Sequence, residues 1–443
     1  MLNMSYNRWV ALVIVAVATA PAYATRSLAV DLIGYLPSYR MNASYVNNTL
    51  PGQLAMLEEI RYFGITVNGA GQLTTTAADL NNIQAIKNAI DALPAAQRPR
   101  LGITIGGAGM SDGFPTVAAS SSLNAVFAQN LKSLLDQTGA VAVDLDWEHP
   151  ASGPERNIRF PEMLTRVKQE LGADRRVYAT VDPTVMIATS VFSGANAIDG
   201  VSLMTYDLSW WSGDPANPHT GEHSLQEYVE DAVAAWTAAV GSSNQRSWVF
   251  GTWGRGVAPA KVGVGLPFYG RGFNGSSADV AVAYRDLVAS GTTSDGSAYL
   301  SGGANVWIPS LEMVALRVQQ AHADGLQHVI FWELAHDLAP SDPKSMLRTA
   351  YLTKQTLAAM PGDFDGDGVI GQLDLQQWQA AYGSFGAGGD ADGDLDADGA
   401  DFLIWQRNVT ASAPPVVTIP EPAAAPLFLA SLLAFTVRRL SVG

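Results

Sequence analysis

Eight short apolar segments recur between residues 28 and 333. Stretches with helical spacing separate them, such as Leu123–Gln137 and Ser224–Val240. Apolar strands that alternate with helices are typical of a parallel sheet, and eight such units predict an α/β fold of the (β/α)8 TIM-barrel type. The alternative, an open doubly wound sheet, usually carries a glycine-rich turn after its first strand. Here the first segment ends in Gly34-Tyr35-Leu36-Pro37 instead. The segments are Leu28–Pro37, Arg61–Val67, Arg100–Gly107, Ala140–Glu148, Val177–Pro183, Gly200–Tyr206, Lys261–Phe268 and His328–Glu333.

Three carboxylates alternate at the end of the fourth segment, at Asp144, Asp146 and Glu148. Because side chains alternate faces along a strand, these three share one face. The other face carries Val141, Val143, Leu145 and Trp147, which we expect to pack on helices. Inside a barrel, repulsion should raise at least one carboxyl pKa, which suits a general acid. Glu148 is nearest the carboxyl end, where barrel active sites lie. A solvated strand end and a divalent-cation site are the alternatives.

This stretch resembles the D-x-x-D-x-D-x-E signature of glycoside hydrolase family 18, the chitinase family. Matches in the family's order extend the resemblance over roughly residues 27–358. Each residue taken alone could be ordinary core or a turn, and their common order favours function. The matches are Gly34-Tyr35 on the first strand, Thr104-Ile105-Gly106-Gly107 on the third, Met204-Thr205-Tyr206-Asp207 on the sixth, Gly265–Gly272 on the seventh and Trp332 on the eighth. We interpret Gly106 and Gly107 as structural, since they let the backbone pass close to the acidic strand.

The resemblance implies a retaining mechanism in which the substrate's own 2-acetamido group is the nucleophile, an exception to the two-carboxylate scheme. Glu148 would protonate the glycosidic oxygen and later act as base toward water. Asp146 would bind the acetamido N–H, and Asp144 would share a proton with it. Tyr206 would donate to the acetamido oxygen. Trp332 would form the apolar floor under the sugar, and catalysis would need no cofactor.

Four further residues are candidate substrate contacts. Asp207 and Tyr35 belong to the matched motifs, and Arg271 is expected to support a loop. Trp210, in the loop after the sixth strand, is a candidate for stacking on a sugar ring. The ligand implied is chitin or an N-acetylglucosamine oligosaccharide.

The chain departs from the family pattern at three places. Val141 and Ala142 replace the first Asp and the usual Gly of the signature, and Thr104 replaces Ser but keeps a hydroxyl. Position 141 lies an odd number of residues before Glu148, so its change should not remove a catalytic group. Asn274–Ala304 is short and rich in Gly and Ser, where many members carry an α+β insertion domain. We therefore expect a shallower, more open groove.

The N-terminus has the pattern of an export signal. Arg8 precedes the apolar run Trp9–Ala20, and Ala22-Tyr23-Ala24 fits a small-x-small cleavage site. The run is short for a membrane span, which is the alternative. We therefore expect a signal peptide over 1–24, a catalytic barrel over 25–358 and an exported protein. The chain has no Cys, which excludes disulfides and thiol nucleophiles.

The segment 359–410 is strongly acidic. Its residues 361–410 hold ten Asp and one Arg, of a net charge of -15 for the chain. Two stretches repeat the oxygen-ligand spacing of an EF-hand loop, and each is followed by a Trp, Trp378 or Trp405. The segment resembles a dockerin type I module, a small α-helical EF-hand-like unit, which implies bound Ca²⁺ and a cohesin-type scaffold as partner. A calcium-stiffened stalk and a disordered acidic linker are the alternatives. The candidate ligands are Asp363, Asp365, Asp367 and Asp374 in the first loop and Asp390, Asp392, Asp394, Asp398 and Asp401 in the second.

The last segment, 411–443, is a linker followed by an apolar tail. Ile419-Pro420-Glu421-Pro422, an uncharged run and Arg438-Arg439 resemble a PEP-CTERM sorting signal. The pattern is that of a stop-transfer segment with positive charge behind it. We expect the tail to meet the membrane or a sorting machinery, placing the protein at the cell envelope surface or outside the cell. A permanent anchor is the alternative.

The sequence therefore predicts a secreted chitinase with Glu148 as general acid. An endo-β-N-acetylglucosaminidase acting on N-glycans, a non-catalytic chitin-binding lectin and a structural envelope protein are the competing functions. A nucleic-acid partner is not expected, because the chain shows no basic patch.

Overall fold

The computed structural model describes residues 30–208, 222–242, 254–274, 278–290, 298–301, 304–358, 361–364, 370–384, 389–392, 394 and 396–409. The chain divides into two compact units, Met1–Ala358 and Ala359–Gly443. The predicted signal peptide at 1–24, Trp210, Asp365, Asp367 and the tail at 411–443 lie outside the described residues. Within the described residues, no helix combines the length and apolarity that crossing a membrane requires.

The first unit is a closed barrel of eight parallel strands. Each strand pairs with the next in the chain, and the first pairs with both the second and the eighth, which closes the barrel. The predicted barrel is thus confirmed, and the open doubly wound sheet is excluded. The strands are β1 (Asp31–Pro37), β2 (Glu59–Val67), β3 (Arg100–Gly106), β4 (Ala142–Asp146), β5 (Arg176–Val181), β6 (Gly200–Leu203), β7 (Val262–Pro267) and β8 (His328–Trp332).

Helices surround the strands. Among the described residues of this unit, the helices are α1 (Ala43–Asn48), α2 (Leu50–Leu54), α3 (Ala77–Asp91), α4 (Phe114–Ala118), α5 (Ser121–Thr138), α6 (Phe160–Leu171), α7 (Gln226–Thr237), α8 (Tyr284–Ala289), α9 (Leu311–Ala323) and α10 (Met346–Ala358). The helix α5 shows how the sequence sets its ends: the Ser120 side chain accepts the Leu123 N–H at the start, and Gly139 ends it in a left-handed conformation (φ 72°). Short helical turns lie at Ser38–Arg40, Ala95–Gln97, Glu155–Arg159, Thr189–Phe192, Pro259–Lys261 and Leu334–His336, and the two-residue strand Leu73–Thr74 pairs with β2.

The outer face of β4 packs on the helices as its alternation predicts. Val143 and Leu145 are fully buried, and Trp147 stacks on Phe114 of α4 with ring centroids 5.5 Å apart. Val141 does not follow this prediction, because it is 37% exposed and precedes the first residue of the strand. Because the outer side chains of β4 are held by apolar contacts, the side chains of its other face must point into the barrel.

The segment between β7 and β8 is more elaborate than its composition predicts. Its described residues form a four-stranded antiparallel sheet together with α8. We predicted from this short segment that a full α+β insertion domain is absent and that the groove is shallower and more open. The described residues form a small folded insertion, and the depth of the groove stays a prediction. The Gly and Ser content did not predict these strands. Apolar residues that alternate at period 2, such as Val280 and Val282, support them. The strands are Tyr269–Asn274, Ala278–Ala283, Ala298–Ser301 and Ala304–Trp307.

The part of the second unit that the structure describes forms the helices α11 (Gln372–Ala381) and α12 (Gly399–Asn408). The two are joined by reciprocal hydrogen bonds. Trp378 Nε1 donates to the Asp398 carbonyl at the start of α12, and Trp405 Nε1 donates to the Gly371 carbonyl at the start of α11, each at 2.9 Å. The repeated Trp of the sequence thus occupies equivalent places in two related halves.

Candidate active site

A cleft of about 700 Å³, open solvent included, lies at the carboxyl ends of the barrel strands. This is the end at which barrel enzymes place their active sites. Five of the residues predicted from the sequence meet there, namely Asp146, Glu148, Tyr206, Asp207 and Trp332. The rest of the lining is Tyr39, Phe63, Ala108, Met110, Met204 and Tyr269.

Asp144 lies below the cleft, fully buried in the barrel. Its Oδ2 accepts the hydroxyls of Tyr35 at 2.8 Å and Thr104 at 3.2 Å, and its Oδ1 accepts the Thr180 hydroxyl at 2.9 Å. The substitution of Thr for Ser at position 104 therefore keeps the donor that this carboxylate uses. A buried carboxylate needs such donors to offset its loss of hydration.

Asp146 lies one step up the strand, at the floor of the cleft. Its pKa is raised well above the usual range, first by burial and then by the charges of Glu148 and Asp144. Its Oδ1 is buried and accepts no hydrogen bond. A carboxyl in this environment tends to hold a proton, and its free oxygen is available to a ligand entering from the cleft.

The backbone of Asp146 is clamped by the third strand. The Gly107 N–H donates to the Asp146 carbonyl at 2.7 Å, and Gly106 has a φ of 100°. A side chain at Gly106 would collide with that same carbonyl. The structural role predicted for this glycine pair is consistent with the close approach of β3 and β4.

Glu148 follows β4 and reaches into the cleft with its side chain 19% exposed. Its backbone N–H donates to Ser111 Oγ at 3.0 Å, which holds the residue against the loop after β3. Burial raises its pKa, and the negative charges of Asp182 and Asp207 raise it further. A carboxyl that stays protonated toward neutral pH is suited to donate a proton to a leaving group.

Tyr206 and Trp332 are two aromatic residues that line the cleft. Tyr206 is nearly buried, and its ring fits against Gly265 so closely that a Cβ there would lie 2.6 Å from it. The indole of Trp332 rests on Tyr35 and Phe63, with centroid distances of 5.7 and 4.8 Å. The two rings are therefore fixed before any ligand arrives.

Asp207 lies in the segment after β6 and has a left-handed conformation (φ 59°), which is uncommon for a residue other than Gly. Its Oδ1 accepts the Tyr269 hydroxyl at 2.6 Å, and Arg271 Nη1 lies 3.3 Å from the same atom. His223 Nδ1 lies 3.1 Å from it. Burial works to raise the pKa of Asp207, but these neighbours, His223 foremost, leave it below the usual value. Asp207 is thus held as an anion at the rim.

Three residues that we predicted as substrate contacts are not found lining the cleft: Tyr35 and Arg271 lie elsewhere, and Trp210 is not described. Tyr35 is 1% exposed and lies under Trp332, where its hydroxyl reaches Asp144 and not the cleft. In this arrangement Tyr35 acts on the acidic strand and does not contact a ligand. Trp210 lies outside the described residues. Arg271 is not among the residues that line the cleft, and it contacts Asp207, to whose carbonyl it donates at 3.0 Å.

Several residues of the site were missed in the sequence. Arg61, Thr180 and Ser111 bind the acidic strand, and His223 binds Asp207. Arg61 could have been found from the sequence, because it is a charged residue between apolar neighbours on a predicted strand. Ser111 and His223 lie in loops, and no pattern in one sequence assigns them.

The second unit brings carboxylates together in a different setting. Asp390, Asp392 and Asp394 form one group, and Asp396, Asp398 and Asp401 form another, each with ligand oxygens within 4.8 Å of one another. All but Asp396 were predicted as ligands. Such closely spaced hard oxygens fit Ca²⁺. In the first loop only Asp363 and Asp374 of the predicted ligands are described.

The two loops are alike in their hydrogen bonds. Asp374 accepts the N–H groups of Phe364 and Gly371, and Asp401 accepts those of Ala391 and Asp398, all at 2.6–2.7 Å. The last Asp of each loop therefore both closes the loop and caps the helix that follows.

Comparisons with known proteins agree with the geometry of the barrel. Chitinase A1 of Niallia circulans is 25% identical over 343 residues, which cover 65% of this chain and 48% of that protein. Chitinase 63 of Streptomyces plicatus is 26% identical over 285 residues, which cover 55% and 44%. The chain thus spans about half the length of these curated relatives.

Solved structures share the fold. A family GH18 chitinase, ChiB, from the chitin utilization locus of Flavobacterium johnsoniae has a TM-score of 0.57 at 17% identity, covering 74% of this chain and 94% of that one. The chitinase-like agglutinin of Robinia pseudoacacia has a TM-score of 0.56 at 17% identity, covering 73% and 99%. The family model described as "Glycosyl hydrolases family 18" matches residues 32–337. The chain belongs to glycosyl hydrolases family 18.

Proposed function

We propose that this protein is a secreted chitinase that hydrolyses β-1,4-linked N-acetylglucosamine polymers. The observation that carries the proposal is the convergence of Asp146 and Glu148 with Tyr206 and Trp332 on one cleft at the carboxyl end of the barrel. The relatives named as chitinases support it, and so does the family to which the chain belongs.

In the proposed reaction, Glu148 is the general acid. It gives its proton to the glycosidic oxygen as the bond to the anomeric carbon breaks. The raised pKa of Glu148, caused by burial and then by Asp182 and Asp207, supports this role, because the group must be protonated when substrate binds. Glu148 then takes a proton from the water that attacks the anomeric carbon.

The nucleophile is the carbonyl oxygen of the substrate's own 2-acetamido group. It attacks the anomeric carbon as the leaving group departs, and water later opens the resulting oxazolinium ring with net retention. Asp146 accepts the acetamido N–H and stabilises the positive ring, and Asp144 shares a proton with it. The unpartnered Oδ1 of Asp146 at the cleft floor supports this assignment. Tyr206 donates to the acetamido oxygen and aligns it for attack, and no cofactor takes part.

Trp332 is the apolar floor on which the reacting sugar rests. Its ring is held by Tyr35 and Phe63, so a sugar packing on it meets a preformed surface. Asp207 binds sugar hydroxyls at the rim, and Arg271 supports it through the bonds described above. Trp210 adds a stacking surface, and chitin oligosaccharides are the ligands.

For the rest of the chain we propose the division 1–24, 25–358, 359–410 and 411–443. The first segment is a signal peptide, and the third is a dockerin-like module that binds Ca²⁺ and offers a surface to a cohesin-type scaffold. The last is a linker with a PEP-CTERM sorting tail that meets the membrane or its processing machinery. The two Asp groups and the repeated Trp hydrogen bonds support the module. The protein then works at the envelope surface or outside the cell.

The test compares three substrates, two of which differ only in the group at C2 of each sugar. The full chain is given fluorogenic chitotrioside, the matching cellotrioside, which has a hydroxyl in place of the 2-acetamido group, and a high-mannose glycopeptide. The proposal expects release from the chitotrioside alone. Turnover of the cellotrioside would exclude substrate assistance.

Two other outcomes redirect the function. Cleavage of the glycopeptide alone keeps the mechanism and makes the protein an endo-β-N-acetylglucosaminidase. Binding of chito-oligosaccharides, measured by calorimetry, without cleavage of any of the three substrates makes it a lectin. The fold admits that function, since a chitinase-like agglutinin shares it.

A further inference from the structure

A fully buried arginine lies inside the barrel, below the acidic strand. Arg61 projects inward from β2, and its side chain has no exposed surface. Its Nη1 lies 3.5 Å from Asp144 Oδ1 and donates to the Tyr35 hydroxyl at 2.8 Å. Its Nε donates to Glu59 at 2.7 Å. A cation in such a place is costly unless its partners compensate it.

The partners of Arg61 form a chain of charges from the barrel bottom to the cleft. Glu59 bonds Arg61 on one side and Arg100 at 3.2 Å on the other. Asp144 then links Arg61 to the strand that carries Asp146. A carboxylate paired on both sides holds the guanidinium in one orientation, so its face toward Asp144 is fixed.

The contact with Tyr35 sets the direction of a hydrogen bond. A guanidinium can only donate, so the Tyr35 oxygen accepts from Arg61 and must send its own proton elsewhere. The acceptor that remains for it is Asp144 Oδ2 at 2.8 Å, or the Thr180 oxygen at 2.9 Å. The Thr180 hydroxyl in turn points to Asp144 Oδ1. The hydrogen bond from Arg61 therefore leaves the Tyr35 hydroxyl as a donor toward Asp144 or Thr180.

The shape of the site suits a planar cation. The guanidinium carbon lies 4.3 Å above the Tyr178 ring, while Nη2 is buried without a hydrogen-bond partner. A lysine ammonium is a compact charge on a flexible stem and cannot reach Glu59, Tyr35 and Asp144 at once. The site is thus built for the charge and for the fork of this side chain.

We propose that Arg61 is a positioning residue of the hydrolysis reaction: by its ion pair with Asp144 and its hydrogen bond to Tyr35, it holds Asp144 as a hydrogen-bond acceptor, so that the proton shared by Asp144 and Asp146 rests on Asp146. The proposal rests on the proposed function. Arg61 does not line the cleft, so it acts on the substrate only through this strand.

The proposal makes the acidic limb of the pH profile depend on Arg61. Activity at low pH is lost once Asp146 has no ionised form left to stabilise the oxazolinium ring. Burial is the main cause that raises the pKa of Asp146, and Arg61 opposes it. Removing the cation should therefore move the acidic limb of kcat to higher pH. The titratable and charged groups around Arg61 are Tyr35 on β1, Glu59 on β2, Arg100 on β3, Asp144 and Asp146 on β4, Arg176 and Tyr178 on β5, and His328 on β8.

The test measures kcat, KM and the pH profile of kcat for the full chain and two variants on chitotrioside. For Arg61→Met we expect kcat to fall by about 10²-fold, KM to change by less than about 3-fold, and the acidic limb to rise by about 1 pH unit. For Arg61→Lys we expect the limb to stay near the wild-type position while kcat falls by about 10-fold. An unchanged limb in folded Arg61→Met overturns the proposal, and so does a wild-type kcat in Arg61→Lys.

Two further variants separate positioning from mere stability. Arg317 is also fully buried but bonds to Gln226 and Ser224, away from the acidic strand. Arg317→Met should lower the thermal unfolding midpoint and leave the acidic limb unmoved. In an Asp144→Asn background, Arg61→Met should lower kcat by less than about 3-fold, because its effect passes through Asp144. Additive losses in that pair contradict the proposal. If Arg61→Met does not fold, Arg61→Lys decides alone.

A readout without turnover keeps this proposal distinct from the proposed function. Infrared titration of the ligand-free protein follows the protonated carboxyl band directly. In Arg61→Met that band should persist to higher pH than in the wild type. If the wild type cleaves no chito-oligosaccharide, the proposed function fails, while an unmoved band is what refutes the role of Arg61.

Discussion

The barrel and the second unit both crowd carboxylates together, and they treat them in opposite ways. On β4, Asp144 and Asp146 are buried and surrounded by hydroxyls, an arginine and aromatic rings. In the second unit, Asp390 and Asp401 are buried, but Asp392 and Asp394 are exposed, and their carboxylates accept the backbone N–H groups of Asp394 and Asp396. Burial favours the protonated carboxyl, whereas exposed hard oxygens in a loop favour a cation.

The difference shows what each cluster can do. The buried carboxylates differ in their environments, which separates their roles: Asp144 is fully bonded, Asp146 has a free oxygen, and Glu148 faces the cleft. The loop carboxylates lie in two groups of three whose oxygens are within 4.8 Å of one another, so they can act together as ligands. Acid–base catalysis requires neighbouring carboxyl groups whose environments differ, whereas a calcium site requires several oxygen ligands of the same kind.

The first prediction concerns Asp146 in the buried cluster of the barrel. Asp146→Asn keeps the shape of the side chain but removes the charge that would stabilise the oxazolinium ring. We expect kcat on chitotrioside to fall by about 10²–10³-fold, with KM little changed. Steady-state kinetics measures it. The matched control is Asp174→Asn, an exposed carboxylate before β5, at the opposite end of the barrel. A wild-type kcat in Asp146→Asn would remove this residue from the mechanism.

Much of the barrel could be predicted from the sequence because its strands are apolar. The acidic residues of the site could be predicted because they alternate along one of these strands. The segments of eight strands, their parallel order and the inward acidic face follow from periodicity alone. The insertion between β7 and β8 was not readable, because its composition resembles a loop while its pairing depends on contacts between distant residues. Long-range pairing leaves little trace in local sequence.

The site was predicted less completely than the fold. The motif residues Asp146, Glu148, Tyr206 and Trp332 meet at the cleft, but the residues that orient them come from other elements. Ser111 holds Glu148 through its backbone N–H, and His223 holds Asp207 from a loop 16 residues away. Such supporting contacts depend on how elements pack, which a single sequence does not reveal.

The second prediction concerns the Asp groups of the second unit. Asp390→Asn removes one charged oxygen from its Asp group, so we expect the affinity for Ca²⁺ to fall by at least about 10-fold. Isothermal titration calorimetry of the full chain measures it. Chitotrioside turnover should be unchanged by this variant and by a calcium chelator. The absence of any calcium binding by the wild type at about 1 mM would refute the proposed module. A loss of turnover on chelation would instead contradict the separation of the two clusters.

The smallest effect tests the electrostatics of the cleft. Burial, followed by the charge of Asp182, raises the pKa of Glu148. Glu148 acts when protonated, so activity is present below its pKa and is lost as the pH rises through it. Asp182→Asn removes a repulsion, so the pKa falls and the basic limb of kcat/KM should move to lower pH by about 0.3 unit. The pH profile measures it, with Asp174→Asn as control. A shift to higher pH would show that another group sets this limb.

The most direct test of the account is the turnover of chitotrioside by the full chain and by Glu148→Gln, whose amide keeps the size of the side chain and has no acidic proton. The account predicts that the wild type releases the fluorophore and that kcat of the variant is lower by about 10²–10⁴-fold, while the variant still binds the trisaccharide. Equal rates for the two proteins would show that Glu148 is not the general acid, and the central claim would fail.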